Sequence, residues 1–96
     1  MDKTIYYNSL YDYYGCLLTD KQKSYYEDYY FNDLSLSEIA ENNNVSRNAV
    51  HNQLKIVIEK LDFYENNLKL YEKGKKIGKI ISKLDSKIQK ELEELI

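Results

Sequence analysis

The residues best suited to chemistry in this chain are polar and basic groups gathered within one short stretch: Ser46, Arg47, Asn48, His51, Asn52 and Lys55. On a helix, positions 47, 48, 51, 52 and 55 share one face. Arg and Lys pair with phosphate oxygens or guanine edges, and Asn pairs with adenine through two hydrogen bonds, so the set suits a nucleic-acid groove. The plainer reading of the same face is a structural or protein-binding helix. A second basic set follows, Lys69, Lys73, Lys75, Lys76, Lys79, Lys83 and Lys87. From Lys69 to Lys90, eight lysines meet only Glu72 and Asp85, a local charge of +6 within a chain of net charge -2. Such a surface attracts polyanions, or is simply a solvated helix face.

Enzyme chemistry finds little to work with. There is one histidine, His51, and one cysteine, Cys16, with no Gly-rich phosphate loop and no paired metal-ligand motif. No catalysis, metal or cofactor is expected. Cys16, beside Leu17 at a helix end, reads as a small core residue, and His51 as a groove or surface residue. A single cysteine allows no internal disulfide and fits a reducing, cytoplasmic setting. The start MDKTIYYNSL lacks a signal-peptide pattern, and no apolar run is long enough to span a bilayer, so membrane insertion is not expected.

These groups need a scaffold, and the composition specifies helices. Ninety-six residues, 43% hydrophobic and 31% charged, contain no proline and many Lys, Glu and Leu, which predicts one all-α domain over 1–96. A first helix is expected from about Thr4 to Tyr14, with Ile5, Tyr6, Leu10, Tyr13 and Tyr14 on its apolar side and Gly15 ending it. Thr19-Asp20-Lys21-Gln22 has the form of a capping box with Leu18 as its hydrophobic staple, and Ser35-Leu36-Ser37-Glu38 is a second box. Asn44 is placed to take a left-handed turn before Ser46 caps the next helix. That helix is expected to run unbroken to about Lys73, roughly 40 Å.

The result is a helix-turn-helix at about 35–60. Ala40 is small where two helices cross, Ile39, Val45 and Val50 fill the space between them, and the face of Arg47 is left open. Beyond it, a Lys-rich helical extension at about 69–96 carries Ile77, Ile81, Leu84, Ile88, Leu92 and Leu95 in a stripe that needs a partner surface. A homodimer follows from that stripe, since a domain this small cannot bury it alone. Most of the eleven tyrosines read as core and interface with a wet hydroxyl.

Longer stretches carry a resemblance. Leu17-Leu18-Thr19-Asp20-Lys21-Gln22-Lys23, the run Tyr29 to Glu41 and Val45-Ser46-Arg47-Asn48-Ala49-Val50 resemble region four of bacterial sigma factors. Together with Tyr13-Tyr14-Gly15, Glu59-Lys60-Leu61 and Tyr64-Glu65-Asn66-Asn67-Leu68, they are more closely similar to the YlxM-like family, over roughly residues 5 to 75. Departures are Asn44 where the turn usually holds Gly, and His51-Asn52 where an aromatic and another polar residue are common. The resemblance implies a small bacterial helix-turn-helix protein with a DNA-binding description. It also implies a link to the signal recognition particle pathway, whose components would then be partners. Three readings stay open: an accessory or regulatory protein of that pathway binding DNA or RNA, a sequence-specific transcription regulator, and a structural dimer module.

Overall fold

A computed structural model describes residues 3–96, and Met1 and Asp2 lie outside the described residues. Helix α1 spans Thr4–Tyr14, and a single 3₁₀ turn over Gly15–Leu17 leads to α2 at Asp20–Tyr30. Helices α3 (Leu36–Asn43), α4 (Arg47–Leu68), α5 (Leu70–Ile81) and α6 (Ser86–Glu93) follow. The protein is all-α, with no strand among the described residues.

Local hydrogen bonds set most of the boundaries. Thr19 Oγ1 accepts from the Gln22 N–H and the Gln22 side chain accepts from the Thr19 N–H, both at 3.1 Å. Ser35 and Glu38 make the same reciprocal pair at α3. Leu18 is buried at the first cap as the staple requires. Asn44 takes φ 53° and ψ 43°, so the chain leaves α3 through a left-handed residue, a conformation Asn tolerates better than most side chains.

The 22-residue α4 is the spine of the body. It packs against α1, α2 and α3 through Val50, Leu54, Val57 and Leu61, which meet Leu10, Tyr14, Leu18, Tyr25, Tyr26, Ile39 and Ala40. Tyrosine does much of the filling. The Tyr26 ring is stacked between Tyr11 and Tyr30 at 4.4 and 4.5 Å, while its hydroxyl donates to Asn8 Oδ1 at 2.7 Å. The Tyr25 hydroxyl is buried without a partner among the described residues.

Four expectations need correction. On α1, Ile5 and Tyr13 are exposed. The inward arc is the i, i+3, i+4, i+7 series Tyr7, Leu10, Tyr11 and Tyr14, with Tyr6 packed at its edge as expected. Cys16 is exposed rather than in the core; the 3₁₀ turn buries Gly15 beneath the Tyr11 ring, where a Cβ would come within 3.1 Å, and turns Cys16 and Leu17 outward. Helix α4 does not reach Lys73: it ends at Leu68, and Lys69 turns left-handed at φ 55° and ψ 31°. The apolar stripe is not one segment either. Asp85 opens α6 by accepting from the Lys87 and Ile88 N–H groups, both at 3.1 Å, which divides the stripe between two helices.

Only Ile81 of that stripe is buried. Helix α6 packs on α5, which in turn rests on α1 and α4. The radius of gyration, 16.6 Å, exceeds the roughly 13 Å of a compact chain of this length. The overall extents of 53 × 27 × 25 Å describe an elongated molecule.

Candidate nucleic-acid interface

The helix-turn-helix is assembled from α3, the left-handed Asn44 and the start of α4. The Val45 N–H returns to the Ala40 carbonyl at 3.1 Å, and the Asn43 side chain donates to the Ile39 carbonyl at 2.7 Å. Ile39 and Val50 are fully buried between the helices, with Ala40 beside them. Ser46 Oγ accepts from the Ala49 N–H at 3.0 Å, so the first turn of α4 is capped by a neutral side chain. Positive helix-end potential therefore stays available at that end.

Arg47, Asn48, His51, Asn52 and Lys55 are all exposed, and at 100° per residue they span an arc of roughly 140° on the first half of α4. No ion pair engages Arg47 or Lys55 among the described residues. Beside this arc is a shallow groove, about 250 Å³, in which His51 and Lys55 face Tyr29, Tyr30, Leu36, Leu54 and Ile58. The tyrosine pair is an addition to the sequence-derived set. Helical spacing does not single them out: on the same helix the adjacent Tyr25 and Tyr26 are both buried, whereas Tyr29 is exposed and Tyr30 half-buried.

The second basic set is divided by the structure. Lys69, Lys75, Lys76 and Lys79 line a cleft at the α4–α5 junction together with Tyr6, Glu65, Asn66, Tyr71 and Glu72. Lys73, Lys83 and Lys87 are exposed outside it. Glu72 accepts from Lys76 at 3.1 Å and lies 3.7 Å from Lys69. The Lys76 hydrogen bond and charge hold its carboxyl below the ordinary value. Glu65, by contrast, is buried and accepts from the N–H groups of Tyr71 and Glu72, each at 3.1 Å. It caps α5 from within the last turn of α4.

Among the described residues no group of three His, Cys, Asp or Glu side chains is arranged to hold a metal ion. Among the described residues no helix is long and apolar enough to cross a membrane.

The compact α3–turn–α4 unit, with the outer face of α4 open, defines a helix-turn-helix protein. The family described as "Putative helix-turn-helix protein, YlxM / p13 like" matches residues 1–96, and the chain belongs to it. It is 50% identical over 92 residues to a UPF0122 protein of Malacoplasma penetrans, covering 90% of this chain and 86% of that one. A UPF0122 protein of Fusobacterium nucleatum is 44% identical over 97 residues, covering 100% of this chain and 94% of its own. One from Bacillus thuringiensis is 43% identical over 91 residues, covering 95% and 83%.

Proposed function

We propose that this chain is a nucleic-acid-binding accessory or regulatory protein of the cytoplasm, acting in the signal recognition particle pathway on that pathway's RNA or protein. In this reading residues 1–96 work as one helical domain. The helix-turn-helix at about 35–60 presents Ser46, Arg47, Asn48, His51, Asn52 and Lys55, and the segment at about 69–96 holds phosphate. The observation that carries the reading is the exposed basic arc at the capped start of α4, which no ion pair engages among the described residues. The pathway assignment is supported by the family resemblance alone.

Positive charge is sparse on α4 and dense after Lys69. Non-specific or RNA-directed phosphate contact through the lysines therefore fits this charge distribution better than operator recognition does. Affinity for a structured RNA should fall steeply with ionic strength, the log-log slope reporting the number of phosphate contacts. Capture of pathway components from cytosol, with and without nuclease, tests the partner. A transcription regulator is the second reading, favoured by the intact α3–α4 unit. It would require Arg47→Ala to lower affinity for one duplex by about 1 to 3 kcal/mol while changes at Lys75 and Lys76 had no effect.

The stripe supports a homodimer: of its members Ile77, Leu84, Ile88 and Leu95 lie open on α5, α6 and the residues around them, and Ile80, outside the stripe, is open as well. Apolar side chains left open in number on a domain this small suit a contact between copies.

A further inference from the structure

The cleft at the α4–α5 junction has a volume of about 440 Å³, the size of a site for a small ligand or one unit of a polymer. It combines two kinds of wall. Tyr6 and Tyr71 meet edge to face at 5.6 Å, and Lys69, Lys75, Lys76 and Lys79 supply four cations. Helix α4 separates it by roughly 30 Å from Arg47, so it is not part of the helix-turn-helix face.

An anion entering this cleft cannot use the N-terminus of α5, because Glu65 already accepts from the Tyr71 and Glu72 N–H groups. It must be held by side chains. Glu72 engages Lys69 and Lys76. Lys75 lies 5.7 Å from the centre of the Tyr71 ring, and neither Lys75 nor Lys79 has a carboxylate partner among the described residues. The backbone of Lys69 is a separate observation. It turns left-handed at φ 55°, where glycine would make the same turn with less strain. Lysine at this position accepts that strain and brings a cation into the cleft.

We propose that the cleft binds an unpaired nucleotide of a single-stranded nucleic acid, its base against Tyr6 and Tyr71 and its phosphates on Lys69, Lys75 and Lys79. The inference rests on the nucleic-acid reading above and adds a site and a strandedness to it. Aromatic rings contribute to single-strand binding because every base has a stacking face, whereas a base inside a duplex keeps its faces covered. Lysine ammoniums suit the phosphates as point charges with flexible reach.

Fluorescence anisotropy of labelled oligouridylate, oligothymidylate and a DNA duplex, titrated with the full chain, tests it. Both single strands should bind about tenfold more tightly than duplex. Tighter binding of the uridylate identifies RNA as the source of the nucleotide, and equal binding identifies single strands of either sugar. Tyr6→Leu should weaken single-strand binding about tenfold and leave duplex binding unchanged. Lys69→Gly should weaken it several-fold while raising the unfolding midpoint, which separates lost binding from lost folding. Equal or tighter duplex binding, or single-strand affinity unmoved by both variants, overturns the cleft and leaves the wider nucleic-acid reading standing. Absence of binding to all three probes and to structured RNA overturns both.

Discussion

The Tyr14 hydroxyl donates to Glu65 Oε1 at 2.6 Å and accepts from the Leu70 N–H at 3.0 Å, so one buried phenol joins α1 to both sides of the α4–α5 break. Glu65 completes the junction by accepting from two further backbone N–H groups. Burial and the bond to Glu65 push the Tyr14 phenol above its ordinary value. The direction of α5, and with it the lysine cleft, depends on this pair.

Glu65→Ala should therefore destabilise the chain by about 2 to 4 kcal/mol, because three donors lose a buried charged acceptor. Tyr14→Phe, which strands the Leu70 N–H and removes one donor, should cost about 1 to 3 kcal/mol. Urea unfolding followed by circular dichroism measures both. A change below about 0.5 kcal/mol for Glu65→Ala would mean that the junction is held by something else.

The tyrosine-rich core should make the fold sensitive to alkali. Burial, with the hydrogen bond to Asp62 second, pushes Tyr7 up to about 12. Burial also raises Tyr6, Tyr11, Tyr14 and Tyr26. A phenol whose value is higher folded than unfolded contributes fully below the ordinary value of 10.0, and that contribution is lost as pH climbs toward the folded value. The tyrosine contribution should be flat below about pH 9.5 and then fall, each raised tyrosine steepening the loss by up to about 1.4 kcal/mol per pH unit. Phenolate absorbance should rise cooperatively with loss of helical signal. Ionisation of all eleven tyrosines near 10, with helicity intact, would contradict this.

Tyr25→Phe removes a hydroxyl that is buried and unpartnered among the described residues. An unmet polar group in the core costs about 1 to 3 kcal/mol, so the substitution should be neutral or stabilising. A loss above about 1 kcal/mol in a thermal melt would reveal a hydrogen bond the structure does not contain.

Gly78 and Gly74 lie inside α5 and should respond differently to alanine. A Cβ at Gly78 meets nothing within 4 Å, so Gly78→Ala should stabilise by up to about 1 kcal/mol through helix propensity. At Gly74 the same atom would come within 2.5 Å of the Tyr13 hydroxyl. Displacing Tyr13 should offset most of the gain there. Equal gains at both positions, read from melting temperatures, would show that Tyr13 does not rest on α5.

Ile88 is 43% exposed on α6, so Ile88→Asp should leave a monomer's fold intact and dissociate a homodimer. Light scattering at tens of micromolar distinguishes the cases. A monomer mass for the wild-type chain ends the dimer reading outright.

Elements closed by bonds among near neighbours were legible in the sequence. The boxes of Thr19 with Gln22 and Ser35 with Glu38, the Ser46 cap and the left-handed Asn44 each depend on residues within a few positions of one another, so local composition determines them. The face of Arg47 follows from the 3.6-residue repeat once Val50, Leu54 and Val57 point inward. What tertiary structure decided depends on groups far apart in the chain. The α4–α5 break at Lys69 looks like uninterrupted helix in periodicity, and its cap comes partly from Tyr14, separated from Glu65 by 51 positions. Which tyrosines sink into the core, why Cys16 turns out to solvent and how Tyr6 reaches Tyr71 are set by the packing of α1 against α4 and α5. Hydrophobic burial is non-directional, so periodicity shows that a face is covered, while only the assembled helices determine which residues cover it.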